Sequence, residues 1–324
     1  MKAGDNNFLN AKGAFKLIKP KPRSVVSILD LTTDEINNLM NVADDIDNNP
    51  DKYREKCKNK ILSTIFFEPS TRTRLSFESA MLSLGGSVIS TADSKSSSAA
   101  KGESVSDTVK VISNYADIIA MRHPKEGAPV VGAMKADVPI INAGDGGHFH
   151  PTQTLADLLT IRRTKGTLSN LVIGLCGDLM FGRTVHSLIE AMLRYPNNKY
   201  VMIAPNELRL PEYMREDLNK TGVEWEETES LEYAMPKLDI LYMTRVQRER
   251  FFNEEDYVRL KDTYILDEEK LKTAKPDLAI LHPLPRVNEI SVSVDDDSRA
   301  KYFYQTLCGK QMRMALIMFL LGIK

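Results

Sequence analysis

The sequence predicts an α/β protein of two doubly wound parallel-sheet domains, with a ligand site in the cleft between them. Its 324 residues correspond to about two domains at roughly 150 residues each. Short apolar runs alternate with segments of helical periodicity, which is typical of parallel sheets covered by helices on both faces. A dense cluster of chain breakers, Gly144-Asp-Gly-Gly147 followed by Pro151, lies near the middle of the chain. We therefore place the domain boundary between residues 150 and 151.

The first half of the chain alternates strands and helices. The run at 61–67 is rich in β-branched and aromatic residues and is ended by Glu68-Pro69. A helix is predicted from Ser70, because apolar residues then recur at helical spacing up to Gly85-Gly86. Further strands are predicted at 87–90, 117–121 and 138–142, and further helices at 103–115 and 129–135.

The second half repeats this architecture after a long helix at 152–163. Strands are predicted at 171–176, 200–204, 239–243 and 278–281, and helices at 183–194, 211–220 and 229–235. The charged stretch 245–256 predicts a loop that leads into a helix. The apolar run 315–321 predicts a buried terminal helix, which we assign with residues 306–324 to the first domain. The second domain then spans residues 151–305.

Composition excludes several classes of protein. Hydrophobic residues make up 42% of the chain and charged residues 27%, as in ordinary globular proteins. Lys and Arg number 43 against 44 Asp and Glu, so the net charge of -1 offers no overall field for a nucleic acid, and any anion site must be local. The longest apolar run is much shorter than the roughly 20 residues that span a membrane. We expect neither a nucleic-acid nor a membrane partner.

Cysteine usage and the N-terminus indicate the compartment. Cys57, Cys176 and Cys308 are odd in number and far apart, and none belongs to a C-x-x-C pair. This pattern argues against a disulfide framework or a zinc cage and favours a reducing cytosol. The first 23 residues are polar and lysine-bearing, without the apolar core of a secretory signal. We expect a cytoplasmic protein; these residues leave the role of the N-terminal extension open.

The first candidate site follows the first strand. Ser70-Thr71-Arg72-Thr73-Arg74 places three hydroxyls and two guanidinium groups on the first turn of a helix, whose free N–H groups favour an anion. A phosphate site is one interpretation. The other is that Ser70 is only an N-cap and the arginines are solvated. Arg74 is expected to be structural, since two guanidinium groups cannot take the same position at the helix end.

Further candidates follow the third and fourth strands, at the same edge of the sheet. Arg122 ends the third strand, and His150 precedes Gln153 by three residues at a helix start, so both side chains can face one pocket. A metal site at His148-x-His150 lacks an accompanying carboxylate or thiolate cluster. The remaining histidines are interpreted as structural: His123, His148, His186 and His282.

The second domain presents arginines after its strands. The segment 177–184 is one residue away from a phosphate-binding P-loop, with Arg183 where that motif needs Lys, and it lacks the G-x-G-x-x-G spacing of a dinucleotide turn. What remains is an arginine at a helix N-terminus, suited to a carboxylate. Arg245 and Gln247 follow a later strand, and His282-Pro-Leu-Pro-Arg follows another, where the prolines point carbonyls into the cleft.

Taken together, six motifs resemble the catalytic chains of the aspartate carbamoyltransferase family. They are F-x-E-P-S-T-R-T-R, M-R-H-P, H-P-T-Q-T, G-D-x-x-x-G-R-T-V-H-S, Y-M-T-R-V-Q-x-E-R and L-H-P-L-P-R-V-x-E-I. They occur in the family's order and cover nearly the whole chain. The resemblance implies transfer of the carbamoyl group of carbamoyl phosphate to L-aspartate in pyrimidine synthesis, without a metal or organic cofactor.

The resemblance also implies a role for each matching residue. The phosphate would be held by Ser70, Thr71, Arg72 and Thr73, with Arg122 adding charge. Thr73, Arg122 and His150 would bind the carbonyl oxygen. Gln153 and the backbone of Leu284 and Pro285 would hold the carbamoyl amide, and Arg183 and Arg245, with Gln247, would bind the aspartate carboxylates.

The family forms homotrimers with shared active sites, which implies two residues from a neighbouring subunit. The lysine maps onto Lys101, which would also contact aspartate. The serine maps onto Ser97, with Ser98 as the alternative, because this loop is about one residue shorter than the family version. Whether regulatory chains bind the trimer is left open by these residues.

Two other functions compete with this one: an ornithine transcarbamylase and a non-catalytic metabolite-binding module. A sister transcarbamylase for ornithine would share the S-T-R-T-R and H-P-x-Q motifs, but a second cationic amine is a poor match for Arg183 and Arg245. The ornithine enzymes also show H-C-L-P where this chain has His282-Pro-Leu-Pro. A non-catalytic metabolite-binding module would keep the fold, but no residue of the implied site has been lost.

Overall fold

The computed structural model describes residues 21–91, 102–246 and 264–324. These residues form two separate sheets, each entirely parallel, as the sequence predicts. The first sheet has the strand order β2-β1-β3-β4, and the second has the order β7-β6-β5-β8-β9. Both orders place consecutive strands on either side of a central one, which is the doubly wound arrangement. In the described part of the chain, no helix is long and apolar enough to cross a membrane.

The first sheet is built from the first half of the chain. Its strands are β1 (Ile61–Phe66), β2 (Ser87–Thr91), β3 (Ile118–His123) and β4 (Ile140–Asp145). Its helices are α1 (Thr33–Asn48), α2 (Thr71–Ser83), α3 (Val105–Ile112) and α4 (Ala128–Lys135). Alternate residues of β1 point to opposite faces, so Leu62 and Phe66 pack into one hydrophobic cluster and Ile65 packs into another. Strand β1 is therefore buried on both faces, whereas the edge strand β2 is mostly exposed.

The second sheet follows the long helix α5 (Pro151–Lys165). Its strands are β5 (Val172–Cys176), β6 (Lys199–Ile203), β7 (Trp225–Thr228), β8 (Ile240–Met243) and β9 (Ala279–Leu281). The helices between and after them are α6 (Arg183–Met192), α7 (Glu212–Thr221), α8 (Leu231–Ala234), α9 (Glu268–Leu271) and α10 (Tyr302–Leu320).

The terminal helix α10 returns to the first half of the chain. It packs against α5, α1 and α2, and most of its middle and last turns are buried. The apolar run at 315–321 predicts this burial, but the helix begins at Tyr302 rather than near residue 306. The domain boundary between residues 150 and 151 stays a prediction, as does the assignment of the terminal helix to the first domain.

Three elements were not predicted from the sequence: α1, β7 and the short helix α9. Helix α1 begins after Thr32, whose side chain and that of Glu35 form a reciprocal capping box. Strand β7 is an edge strand of sequence W-E-E-T, and all four of its residues are half-buried. Its two glutamates obscure the apolar alternation that marks a strand. An edge strand can carry such charged side chains, because it pairs with one neighbouring strand only and its residues are half-buried.

Candidate active site

A cavity of about 470 Å³ lies between the carboxyl ends of the two sheets. Residues that follow β1, β3, β4, β5, β8 and β9 line it, and helix α10 closes one side. Ligands of open α/β sheets bind at this edge. The structure thus brings most of the residues predicted for the site to one cavity: Ser70, Thr71, Arg72, Thr73, Arg122, His150, Gln153, Arg183, Arg245, Leu284 and Pro285.

The N-terminus of α2 forms one end of the cavity. Ser70 occupies the N-cap position, but its side chain makes no capping hydrogen bond, so the interpretation of Ser70 as only an N-cap finds no support. Arg72 extends beside it, and partial burial together with nearby Arg122 and Arg245 lowers its pKa. Free helix N–H groups and clustered guanidinium groups make this end of the cavity strongly attractive to an anion.

Arg74 points away from the cavity, as expected from the sequence. Its Nε lies 3.6 Å from Glu78 Oε1, one helical turn further along α2. Arg122 in contrast lines the cavity, where its Nη2 lies 3.2 Å from Glu68 Oε1. Glu68 therefore holds the Arg122 guanidinium in place at the end of β3.

Three predicted side chains converge on Gly144, near the end of β4. A Cβ added there would lie 3.3 Å from His150 Cδ2, 3.4 Å from Arg183 Nη2 and 3.5 Å from Arg122 Nη1. The backbone of Gly144 has a φ of +117°, which side chains rarely adopt. The backbone conformation therefore favours glycine here, and a Cβ would also make a tight contact with the His150 ring.

His150 is buried, and its protonation state follows from its surroundings. Burial and the nearby charges of Arg183, Arg122 and Arg313 hold the pKa of its imidazole well below the ordinary value. The ring is thus neutral at pH 7. Its Nδ1 accepts a hydrogen bond from the Gln153 backbone N–H at 3.3 Å, so the ring proton lies on Nε2. His150 is a helix cap that also supplies one hydrogen-bond donor.

The second sheet contributes the arginines at the other side of the cavity. Arg183 is the first residue of α6, after Gly182, and it donates to the carbonyl oxygen of Gly146. This contact joins the loop after β4 to the start of α6. Arg245 follows β8, and the Leu284 and Pro285 backbone follows β9. Two guanidinium groups from separate strand ends suit a ligand that carries two carboxylates.

Arg313 is a cavity residue that the sequence analysis did not find. It lies in the middle of α10, and burial lowers its pKa to about 10, although nearby Asp157 raises it. Its Nη1 donates to Ser76 Oγ at 3.0 Å, while its Nε is buried without a hydrogen-bond partner. A side chain at Gly309 would lie 2.5 Å from Nη1, so that glycine makes room for the guanidinium. No local motif marks such a residue, because it comes from the far end of the chain.

The other histidines have structural partners. His123 Nδ1 accepts from the Lys125 N–H, and His186 Nε2 donates to the Leu179 carbonyl at 2.8 Å. His282 lines the cavity, but its Nε2 lies 2.7 Å from Glu289 Oε1. These contacts fit the structural interpretation.

In the described residues, possible metal ligands do not cluster, and the cysteine thiols are unpaired. Across the described ranges, no group of three or more His, Cys, Asp or Glu side chains is placed to hold a metal ion, so the pair His148-x-His150 gains no third ligand. Cys57, Cys176 and Cys308 are buried free thiols.

Three further candidates lie outside the described residues. Ser97 (with its alternative Ser98) and Lys101 fall between residues 91 and 102, and Gln247 follows the last described residue after β8. Most of the charged stretch 245–256 also lies outside. Their assignments stay predictions.

Comparison with known proteins identifies the family. Residues 23–163 match the aspartate/ornithine carbamoyltransferase carbamoyl-P binding domain, and residues 169–320 match the Asp/Orn binding domain of the same family. The aspartate carbamoyltransferase catalytic subunit of Clostridium acetobutylicum is 60% identical over 94% of this chain and 99% of its own length. That of Lachnoclostridium phytofermentans is 60% identical over 93% of this chain and 98% of its own.

Solved structures agree with these sequence matches. The catalytic subunit of M. jannaschii aspartate transcarbamoylase is 46% identical, with a TM-score of 0.87 over 92% of this chain and 98% of its own. The Trypanosoma cruzi aspartate transcarbamoylase in complex with carbamoyl phosphate and aspartate is 35% identical, with a TM-score of 0.86 over 92% of this chain and 96% of its own. Both halves of the chain, its fold and its strand-end cavity therefore lead to one conclusion: the chain belongs to the aspartate/ornithine carbamoyltransferase family.

Proposed function

We propose that this chain transfers the carbamoyl group of carbamoyl phosphate to the amine of L-aspartate, giving N-carbamoyl-L-aspartate and phosphate in pyrimidine synthesis. One observation carries the proposal. A cationic helix N-terminus suited to a phosphate faces, across one cavity, two arginines suited to a dicarboxylate. The relatives named above as aspartate carbamoyltransferases support it.

The acyl phosphate binds at the α2 end of the cavity. Ser70, Thr71, Arg72 and Thr73 hold the phosphate, and Arg122 adds charge beside it. The neutral His150 ring donates a hydrogen bond from its Nε2–H to the carbonyl oxygen, where negative charge develops as the amine attacks. Because His150 does not have to lose a proton first, the donor is in place before the reaction begins.

Aspartate binds on the second-sheet side of the cavity. Arg183 and Arg245, supported by Gln247, hold the two carboxylates and place the amine against the carbonyl carbon. A C–N bond forms, the bond between the carbonyl carbon and the phosphate oxygen breaks, and the amine proton leaves with the phosphate. Since no covalent intermediate on the protein is needed, positioning supplies much of the rate.

The proposed assembly is a cytoplasmic homotrimer with shared active sites. Ser97 and Lys101 would reach the cavity of a neighbouring subunit, where Lys101 would contact aspartate. The relatives are named catalytic subunits, which is compatible with additional regulatory chains.

The test is carbamoyl transfer by the purified full chain, with L-aspartate and L-ornithine offered separately. We expect N-carbamoyl-L-aspartate alone. Product from ornithine alone would leave the phosphate half of the proposal intact and overturn the roles of Arg183 and Arg245. If neither amine is carbamoylated by the intact oligomer, the chain is a binding module and the proposal is wrong.

A further inference from the structure

Asp157 is a buried carboxylate with no part in the steps above. It lies in the second turn of α5, one turn after Gln153, and is fully buried. Three side chains from three elements donate to it. Gln153 Nε2 lies 2.8 Å from Oδ1, Tyr242 Oη lies 3.0 Å from Oδ2, and Gln305 Nε2 also donates to Oδ1. Asp157 thus joins α5, β8 and α10 immediately behind the cavity wall.

We propose that Asp157 is a positioning residue that orients the Gln153 amide, so that its oxygen Oε1 faces the carbamoyl NH2 of the substrate. A carboxylate only accepts hydrogen bonds, so it selects the NH2 end of the Gln153 amide. The opposite end, Oε1, is then presented as an acceptor toward the cavity that Gln153 lines. The inference rests on the proposed function, because it requires an acyl substrate that carries an NH2 group.

The same carboxylate acts on the other acceptors proposed for this NH2 group. Because Gln305 gives its Nε2 to Asp157, its Oε1 accepts from the His282 backbone N–H at 3.0 Å. His282 Nδ1 in turn accepts from the Leu284 N–H at 2.8 Å. This chain of hydrogen bonds leads from Asp157 to the backbone that carries the Leu284 and Pro285 carbonyls. One side chain therefore orients both groups proposed to receive the carbamoyl hydrogens.

The charge of Asp157 depends on the groups around it. Burial raises its pKa to about 7, while the hydrogen bonds from Gln153, Gln305 and Tyr242 and the charge of Arg313 oppose the rise. Above pH 8 the carboxylate is ionised, and all three donors are matched to acceptors. Binding is therefore best measured at about pH 8.5.

The test compares two ligands that differ only in the group under discussion. Phosphonoacetamide carries an NH2 group, and 2-oxopropylphosphonate carries a methyl group in its place. Their dissociation constants are measured by calorimetry for the wild-type chain and for Asp157→Leu, which removes both acceptor oxygens; asparagine would keep one oxygen for the two glutamine amides. We expect Asp157→Leu to weaken binding of the amide by about tenfold or more, the cost of an unmatched buried hydrogen-bonding group, and to change binding of the ketone by less than about threefold.

Two further variants make the result specific. Gln153→Glu keeps the acceptor but replaces the donor to Asp157 with a second carboxylate, so we expect it also to lose the preference for the amide. A stronger preference in this variant would contradict the inference, because it would mean that any acceptor at residue 153 suffices without Asp157. Asp239→Leu is the matched control, since Asp239 directly precedes β8 at the strand end opposite Tyr242, and its carboxylate accepts from the Val172 backbone N–H at 2.8 Å and pairs with Lys275. It should leave the ratio of the two dissociation constants unchanged.

The outcomes separate the inference from the proposed function. Equal losses for both ligands, or no change in Asp157→Leu, would show that Asp157 is only structural and overturn the inference. Should Asp157→Leu fail to fold, Gln153→Glu decides alone. If the wild-type chain binds neither phosphonate but carbamoylates aspartate, the inference fails and the proposed function stands; if it also fails to carbamoylate aspartate, both fail.

Discussion

Replacing His150 with asparagine isolates the proposed hydrogen bond to the carbonyl oxygen. His150 has two roles in the structure: its Nδ1 caps α5, and its Nε2 carries the proton that is donated in the hydrogen bond. Asparagine is a good N-cap residue and is too short to place its NH2 group where Nε2 lies, so His150→Asn keeps the cap and removes the donor at the Nε2 position. Loss of one donor to a developing oxyanion costs about 2.7–4 kcal/mol, or about 100-fold to 1,000-fold in kcat. His150→Ala, which loses the cap as well, should lower stability by about a further 1 kcal/mol.

The assay measures kcat and both KM values from pH 6 to 9, with thermal unfolding of each variant as a control. We expect the loss to fall on kcat and to be independent of pH, because burial and the nearby arginines hold the pKa of His150 well below its ordinary value. A loss in kcat smaller than about tenfold would contradict the donor role. An ionisation near pH 6.5 that is present in the wild-type chain and absent in His150→Asn would refute the assignment of a neutral ring.

Three further predictions concern other parts of the structure. Arg245→Ala should raise the KM for aspartate by about tenfold or more while leaving the dissociation constant of carbamoyl phosphate unchanged, as steady-state kinetics and calorimetry can show. Gly144→Ala should lower kcat/KM by at least about tenfold, because the backbone φ of +117° and the contact with His150 both oppose a Cβ; unchanged kinetics would contradict the packing described. Hydrogen bonding to Arg23 lowers the pKa of Glu35 from 4.5 to about 2, so this pair adds stability above pH 4.5 that is lost as the pH falls toward 2. Urea unfolding should show Glu35→Gln less stable by about 0.5–1 kcal/mol at pH 7, a value reduced for solvent exposure, and the two proteins should converge near pH 2.

The site residues at the strand ends could be predicted from the sequence, because they lie next to the apolar runs that mark the strands. Arg72 and His150 each follow an apolar run and open a helix, and the carboxyl ends of parallel strands meet at one edge. The structure brings both to the same cavity. Helix α1 could also have been found, since Thr32 and Glu35 have the spacing of a capping box.

Asp157 and Arg313 could not be predicted in the same way. Each lies inside a helix, where a charged residue is most often solvated, and each is buried where α10 returns from the end of the chain to pack on α5. Their partners are distant in sequence: Gln305 is 148 residues from Asp157. A local pattern carries no information about such contacts, which arise from tertiary packing.

The arrangement of these residues has a consequence for specificity within the family. The acyl phosphate site draws its charged side chains from α2 and β3, whereas the proposed carboxylate site draws Arg183 and Arg245 from α6 and the end of β8. The family names its two domains by carbamoyl phosphate and by aspartate or ornithine, so a change of the accepting amine falls mainly on the second half of the chain. Asp157 is the exception to this division, because its hydrogen bonds tie Gln153 of the first match to Tyr242 and Gln305 of the second. A substitution that adapts the second half to a new amine must therefore keep the donors to Asp157, or the carbamoyl group loses its orientation together with the amine.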